Sequence, residues 1–190
     1  MANRYFLAGL AVLSAAPGLL LSRTAAAQSV IKSPGEHPHY AFEAEPHLAL
    51  SYNAGYGPGF RGTIALLDRA FIPSINDSIG LGFGAEFLFY SKHCDGPPGA
   101  RICESVGDVM IPVVLQWNFW IIQWFSVFGE PGFALHVHRG PGDDFAIDPF
   151  TIFAGMRLHF SDSVALTLRL GAPEVFHHDS VITIGVSFLL

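Results

Sequence analysis

Residues 180–190 alternate without a break, with Ile182, Ile184, Val186, Phe188 and Leu190 on one side and Val181, Thr183, Gly185 and Ser187 on the other. That is the two-residue period of a β-strand with one apolar face and one small or weakly polar face. The pattern recurs along the chain, and eight runs are predicted as strands: 40–52, 59–70, 78–90, 108–119, 123–138, 148–160, 164–171 and 180–190. In 148–160, Phe150, Ile152, Ala154, Met156, Leu158 and Phe160 oppose Thr151, Phe153, Gly155, Arg157 and His159. In 40–52, Phe42, Ala44, Pro46, Leu48 and Leu50 oppose Glu43, Glu45, His47 and Ala49. Glu86, Glu130, Arg61 and Arg169 likewise fall opposite the apolar residues of their runs. A soluble sandwich would turn that charged face to water. A membrane barrel would turn it to the lumen and the apolar face to lipid.

The connections favour the barrel. Between the runs lie turn-forming residues, among them Gly96-Pro97-Pro98-Gly99, Gly140-Pro141-Gly142-Asp143-Asp144 and Ser161-Asp162-Ser163. The second, fourth and sixth connections (71–77, 120–122 and 161–163) are the short ones; 53–58, 91–107, 139–147 and 172–179 are mostly longer. Short periplasmic turns alternating with longer external loops are the habit of such barrels. Aromatic residues gather at both ends: Trp117, Phe119, Trp120, Trp124, Phe125 and Phe160 near the short turns, and Tyr52, Tyr56, Phe60, Phe89, Tyr90, Phe145 and Phe150 at the opposite rim. Belts of this kind suit the two bilayer interfaces. The expected fold is therefore all-β: a single up-and-down antiparallel eight-stranded transmembrane β-barrel. Segment 109–128 has about the length of a spanning helix. It carries Pro112, Gln116, Asn118, Gln123 and Ser126, and it divides better into two alternating strands around a turn.

The amino terminus changes the picture by supplying an address. Arg4 precedes an apolar stretch over 5–21 broken by Pro17-Gly18, and Ala25-Ala26-Ala27 offers a small-residue cleavage site. The reading is a cleaved signal peptide over 1–27, a periplasmic lead-in over 28–38 and a barrel over 39–190. Removal of the signal takes away two positive charges, Arg4 and Arg23, and moves the formal charge from −6 to −8. An acidic chain whose only remaining lysines are Lys32 and Lys92 is a poor binder of nucleic acid.

With its cleavable signal, its alternating strands and a last strand ending near Phe188, the chain resembles the small eight-stranded outer-membrane β-barrels of the OmpA/OmpX type. The resemblance covers nearly the whole of 39–190 as a pattern rather than a diagnostic motif. It implies residence in the bacterial outer membrane, among lipid and lipopolysaccharide. It also implies recognition of the terminal strand by the barrel-assembly machinery, although here Phe188 is followed by Leu189-Leu190 instead of closing the chain.

Candidate chemistry is sparse. Cys94 and Cys103, the only cysteines, share the longest loop, and an exported pair is most simply a disulfide. Nucleophilic catalysis would not need the second thiol, and a metal site would want more ligands. Glu43, Glu45, Glu86, Glu130, Arg61, Arg157 and Arg169 are expected to form a luminal charge network, because an eight-stranded barrel is just wide enough to be filled by side chains; an ion path is the competing reading. His136, His138, His177 and His178 fall near the external rim with His93. They are the candidates for a metal site or for a hydrolase acting on lipid A, yet only Ser91 and Ser180 lie near them in loops. No cofactor is expected. The function expected is a structural or surface-contact role for a barrel with a plugged lumen, rather than catalysis. The alternatives are a lipid-modifying enzyme of the acyltransferase or deacylase kind and a small porin-like channel for apolar solutes. A surface partner should touch 91–107, with His138, Arg139 and Asp143 as neighbours.

Overall fold

The computed structural model describes residues 35–52, 55–90, 93–95, 102–104, 106–139, 144–174 and 179–190. The expected signal peptide, most of the lead-in, Asp143, His177 and His178 lie outside these described residues. The strands are β1 (Phe42–Ser51), β2 (Tyr56–Leu67), β3 (Asp77–Phe89), β4 (His93–Asp95), β5 (Ile102–Glu104), β6 (Gly107–Ile122), β7 (Phe125–Arg139), β8 (Asp144–Ser161), β9 (Val164–Glu174) and β10 (Asp179–Leu189). Eight of them close a barrel in the order β1-β10-β9-β8-β7-β6-β3-β2, and each neighbouring pair is antiparallel. The first and last strands seal it, with Ala44 opposite Phe188 and Leu50 opposite Ile182. Closure leaves no unpaired sheet edge, which the backbone of a membrane-spanning sheet requires.

The alternation sets the two faces. Leu48, Phe60, Phe87, Phe133, Ile152, Leu168 and Ile184 point outward and are exposed, while the charged residues between them are buried in the lumen. The stretch 109–128 is divided between β6 and β7 by a turn at 123–124, and among the described residues no helix is long and apolar enough to cross a membrane. Strand β8 begins at Asp144 rather than 148, because β7 continues to Arg139 and offers partners beyond the alternating region (His138 opposite Asp144). The third connection contains a two-stranded hairpin, β4 with β5, that no periodicity announced.

Two aromatic assignments need correction. Trp120 stands at the short-turn end but not on the lipid side: it is buried on the luminal face, where its indole donates to Ser78 Oγ at 3.3 Å. Strand β6 alternates through to its end, so Trp120 shares the inward face of Gln116 and Asn118. Tyr90, just past the end of β3, likewise turns inward and packs against the buried cluster of Ala49, Leu88 and Val181.

Candidate functional site

Charged side chains meet inside the barrel. Arg157 grips Glu43 with two hydrogen bonds of 3.0 and 2.8 Å, and Arg169 grips Glu45 with two of 2.7 and 2.9 Å. Arg169 also approaches Glu130 at 3.0 Å, and Arg61 bridges Glu86 at 2.8 Å and Glu130 at 3.4 Å. Gln116 donates to Glu130 at 2.8 Å, and Asn118 accepts from Arg157 at 2.7 Å. The ring of His47 lies between Glu45 and Glu86, 3.5 and 3.6 Å away. All seven charged residues singled out from the sequence thus meet in one connected network, every one of them buried. Aromatic faces complete it: Arg157 and Arg169 lie 4.2 and 5.2 Å from the Phe128 centroid, and Arg61 lies 5.1 Å from that of Phe153. Two-pronged carboxylate–guanidinium pairs repay part of the desolvation that burial exacts, because each is joined by two charge-assisted hydrogen bonds.

Two glycines make room for His47. A Cβ on Gly59 would stand 2.2 Å from its Nε2, and one on Gly185 would stand 2.6 Å from its Cβ. Above the charged layer, Met110, Val114, Ala134 and Phe153 form a buried apolar cluster towards the long-loop end. The sequence placed Phe153 on the face opposite the apolar one without revealing that it would join such a cluster.

Towards the long loops, His136 Nε2 lies 2.9 Å from Asp148, and His138 is hydrogen-bonded through Nδ1 to Asp108. Each of these histidines has an acid partner, and among the described residues no group of three or more ligating side chains is arranged to hold a metal ion. The hairpin in the third connection sets Cys94 directly opposite Cys103.

The short-turn end is closed differently. Gly35 adopts a positive φ of 86°. Its N–H donates to Asn76 Oδ1 at 3.0 Å, and the Asn76 amide donates back to the Glu36 carbonyl at 3.1 Å. This clamp delivers His37 into the mouth, where its ring stacks on Trp120 at 5.0 Å and meets the Asp68 carbonyl at 2.8 Å. The ring of His159 also lies 4.9 Å from that of Trp120, and its Nε2 is 2.8 Å from Ser126 Oγ. This serine–histidine pair was not anticipated. Both residues stand on polar faces, but they are 33 positions apart, and only the β7–β8 register brings them together. Ser126 is fully buried, and Nδ1 of His159 has no hydrogen-bond partner among the described residues. The pair therefore lacks both the access and the orienting third group that a nucleophilic serine needs. Beside it, a pocket of about 1010 Å³ opens between residues 35–39 and the turns at 123–124 and 161–162.

No protein-family model and no curated protein matches the chain. Among solved structures, the crystal structure of Ail, the attachment invasion locus protein of Yersinia pestis, aligns with a TM-score of 0.51 over 81% of this chain and 99% of that one, at 9% identity. The backbone structure of the same outer membrane protein in a phospholipid bilayer nanodisc gives a TM-score of 0.51 over 80% and 100%, also at 9% identity. The outer membrane enzyme PagL aligns at 0.47 over 78% and 99%, with 10% identity, a likeness that carries no argument about chemistry. The chain has the fold of the small eight-stranded outer-membrane barrels and resembles the OmpA/OmpX type in that fold.

Proposed function

We propose that this chain is a non-catalytic outer-membrane barrel that holds its long connections at the cell surface for contact or envelope integrity. One observation carries the reading: an apolar outer wall surrounds a lumen occupied by mutually compensated charge. In water, each exposed outward leucine or phenylalanine would forfeit roughly 25 cal/mol per Å² of apolar surface; lipid removes that cost. The charged network, with the apolar cluster above it and the His37–Trp120 stack below, plugs the lumen, which disfavours a conducting channel.

In this reading the short turns and the His37 segment face the periplasm, and the hairpin β4–β5 faces outward. Outer-membrane lipid and lipopolysaccharide surround the wall, and the barrel-assembly machinery reads β10. Directly opposed residues of an antiparallel pair have Cα atoms about 4.5–5.5 Å apart, within the span of a disulfide. A Cys94–Cys103 bridge would pin the hairpin tip and reduce the ordering cost of binding a surface partner.

The test is fractionation of an expressing Gram-negative host together with a mass spectrum of its lipid A. The protein should sediment with the outer membrane and leave the acyl pattern unchanged. A lipid-modifying enzyme that uses the rim histidines is the rival reading. An acyl-chain change abolished by Ser126→Ala, or by His136→Ala or His138→Ala at the rim, would overturn the non-catalytic reading.

A further inference from the structure

His37 is only 8% exposed, although it precedes the first strand and reaches the mouth on the segment 35–39. Both of its ring nitrogens meet backbone carbonyls: Nε2 lies 2.8 Å from the Asp68 oxygen, and Nδ1 lies 3.1 Å from that of Pro38. A carbonyl oxygen only accepts, so each contact is a hydrogen bond only where the nitrogen carries a proton. A neutral imidazole has a single N–H and turns a lone pair to the other oxygen. The imidazolium donates from both nitrogens and satisfies both carbonyls. Trp120 favours the same form. Its ring is stacked on His37 at 5.0 Å with an interplanar angle of 7°, and an aromatic face attracts a cation held this close.

Several elements bring charge to the ring. Its own segment contributes Glu36, His39, whose ring is 5.3 Å away, and Tyr40. The β2–β3 connection contributes Asp68, whose carboxylate is 3.5 Å from His39, and Arg69, which lies against Gly35. Asp77, at the start of β3, accepts from the Trp117 indole at 2.9 Å. Strand β8 contributes His159, which shares Trp120 with His37, and the turn after it contributes Asp162. Deeper in the barrel, Arg157 is committed to Glu43. The end of β6, 116–122, carries no charged residue. The four carboxylates at this mouth outnumber its one guanidinium, so the surroundings accommodate a positive ring. The Gly35–Asn76 clamp contains no titratable side chain, which confines any response to pH to the His37 end of the segment.

We propose that residues 35–39 form a proton-sensitive latch at the short-turn mouth, closed with His37 protonated on both nitrogens and loosened when the ring loses one proton. Loosening releases a proton, so a pH rising through the range near ~6.5, where histidine titrates, favours the loosened form. Below that range the ring is protonated in both forms, and the latch is at its tightest. On the reading that puts the short turns in the periplasm, the mouth tightens as that compartment turns acid.

The test uses the full chain, extracted from membranes and shown to be folded by heat-modifiable mobility. Amide hydrogen exchange over 35–40, scaled to an unstructured peptide of the same sequence at each pH, reports the latch. Protection should fall about tenfold between about pH 5.5 and about pH 8, while the heat-modifiable band stays the same. His37→Gln, which keeps one donor, should abolish that dependence, and His39→Gln should keep it. Protection that does not change with pH in the wild type, or that still falls in His37→Gln, overturns the latch. Nitrogen NMR of the histidine-labelled wild type reads the ring without any substitution: both nitrogens of His37 should carry a proton while the segment is protected. A ring with one bare nitrogen in the protected segment overturns the proposal, whether or not His37→Gln folds.

Discussion

Arg169 is the residue on which the luminal network turns, since it touches both Glu45 and Glu130. Its removal leaves two buried carboxylates short of a partner, and breaking a buried pair in this way costs about 3–5 kcal/mol. Arg169→Ala should therefore lower the urea midpoint of the barrel in detergent by a large margin. Arg169→Lys should recover little, because an ammonium cannot bind both carboxylates in the two-pronged geometry. Trp120 is the corresponding anchor of the mouth: Trp120→Ala should cost about 3–5 kcal/mol and raise the proteolysis of residues 35–40. Gly59→Ala tests the room around His47, and driving a Cβ into the ring should cost about 1–3 kcal/mol. At this scale the sequence was partly legible. It put Glu43, Glu45, Glu86, Glu130 and the three arginines on one face because strand period alone decides facing. It could not pair them, because Arg157 and Glu43 lie 114 positions apart and meet only through closure. The role of Trp120 was hidden because a rim aromatic and an inward plug look alike where a strand ends.

The elements were legible where period is long enough to count. Strand β10 alternates from end to end, and its expected and observed limits agree within a residue. Hairpin β4–β5 was not legible: three-residue strands carry no period, and Gly and Pro flank them in the sequence. Its backbone sets Cys94 against Cys103, so a bridge there should pin the tip without contributing to barrel closure. Cys94→Ala should leave heat-modifiable mobility unchanged and make residues 91–107 sensitive to protease on whole cells. Failure of the barrel to assemble, or free thiols titrated on the native protein, would count against the bridge. The pairing of Ser126 with His159 belongs to this scale too, since it follows from the register of β7 on β8 rather than from any motif.

For the molecule as a whole, the account rests on an inversion of the usual arrangement, with apolar residues outside and charges within. That inversion follows from the facing rule once the sheet closes, and it makes lipid the required solvent. On the proposed reading of a plugged lumen, the barrel should pass no steady current in a planar bilayer, and stepwise conductance would contradict the proposal. The central claim is the membrane-spanning barrel itself. Its most direct test is the mobility of the chain, extracted from membranes in detergent, on a gel run with and without boiling. The unboiled sample should migrate as a distinct band, with a β-type circular dichroism spectrum that boiling abolishes. A chain that remains monomeric and soluble in the absence of detergent, with one band under both conditions, would contradict it.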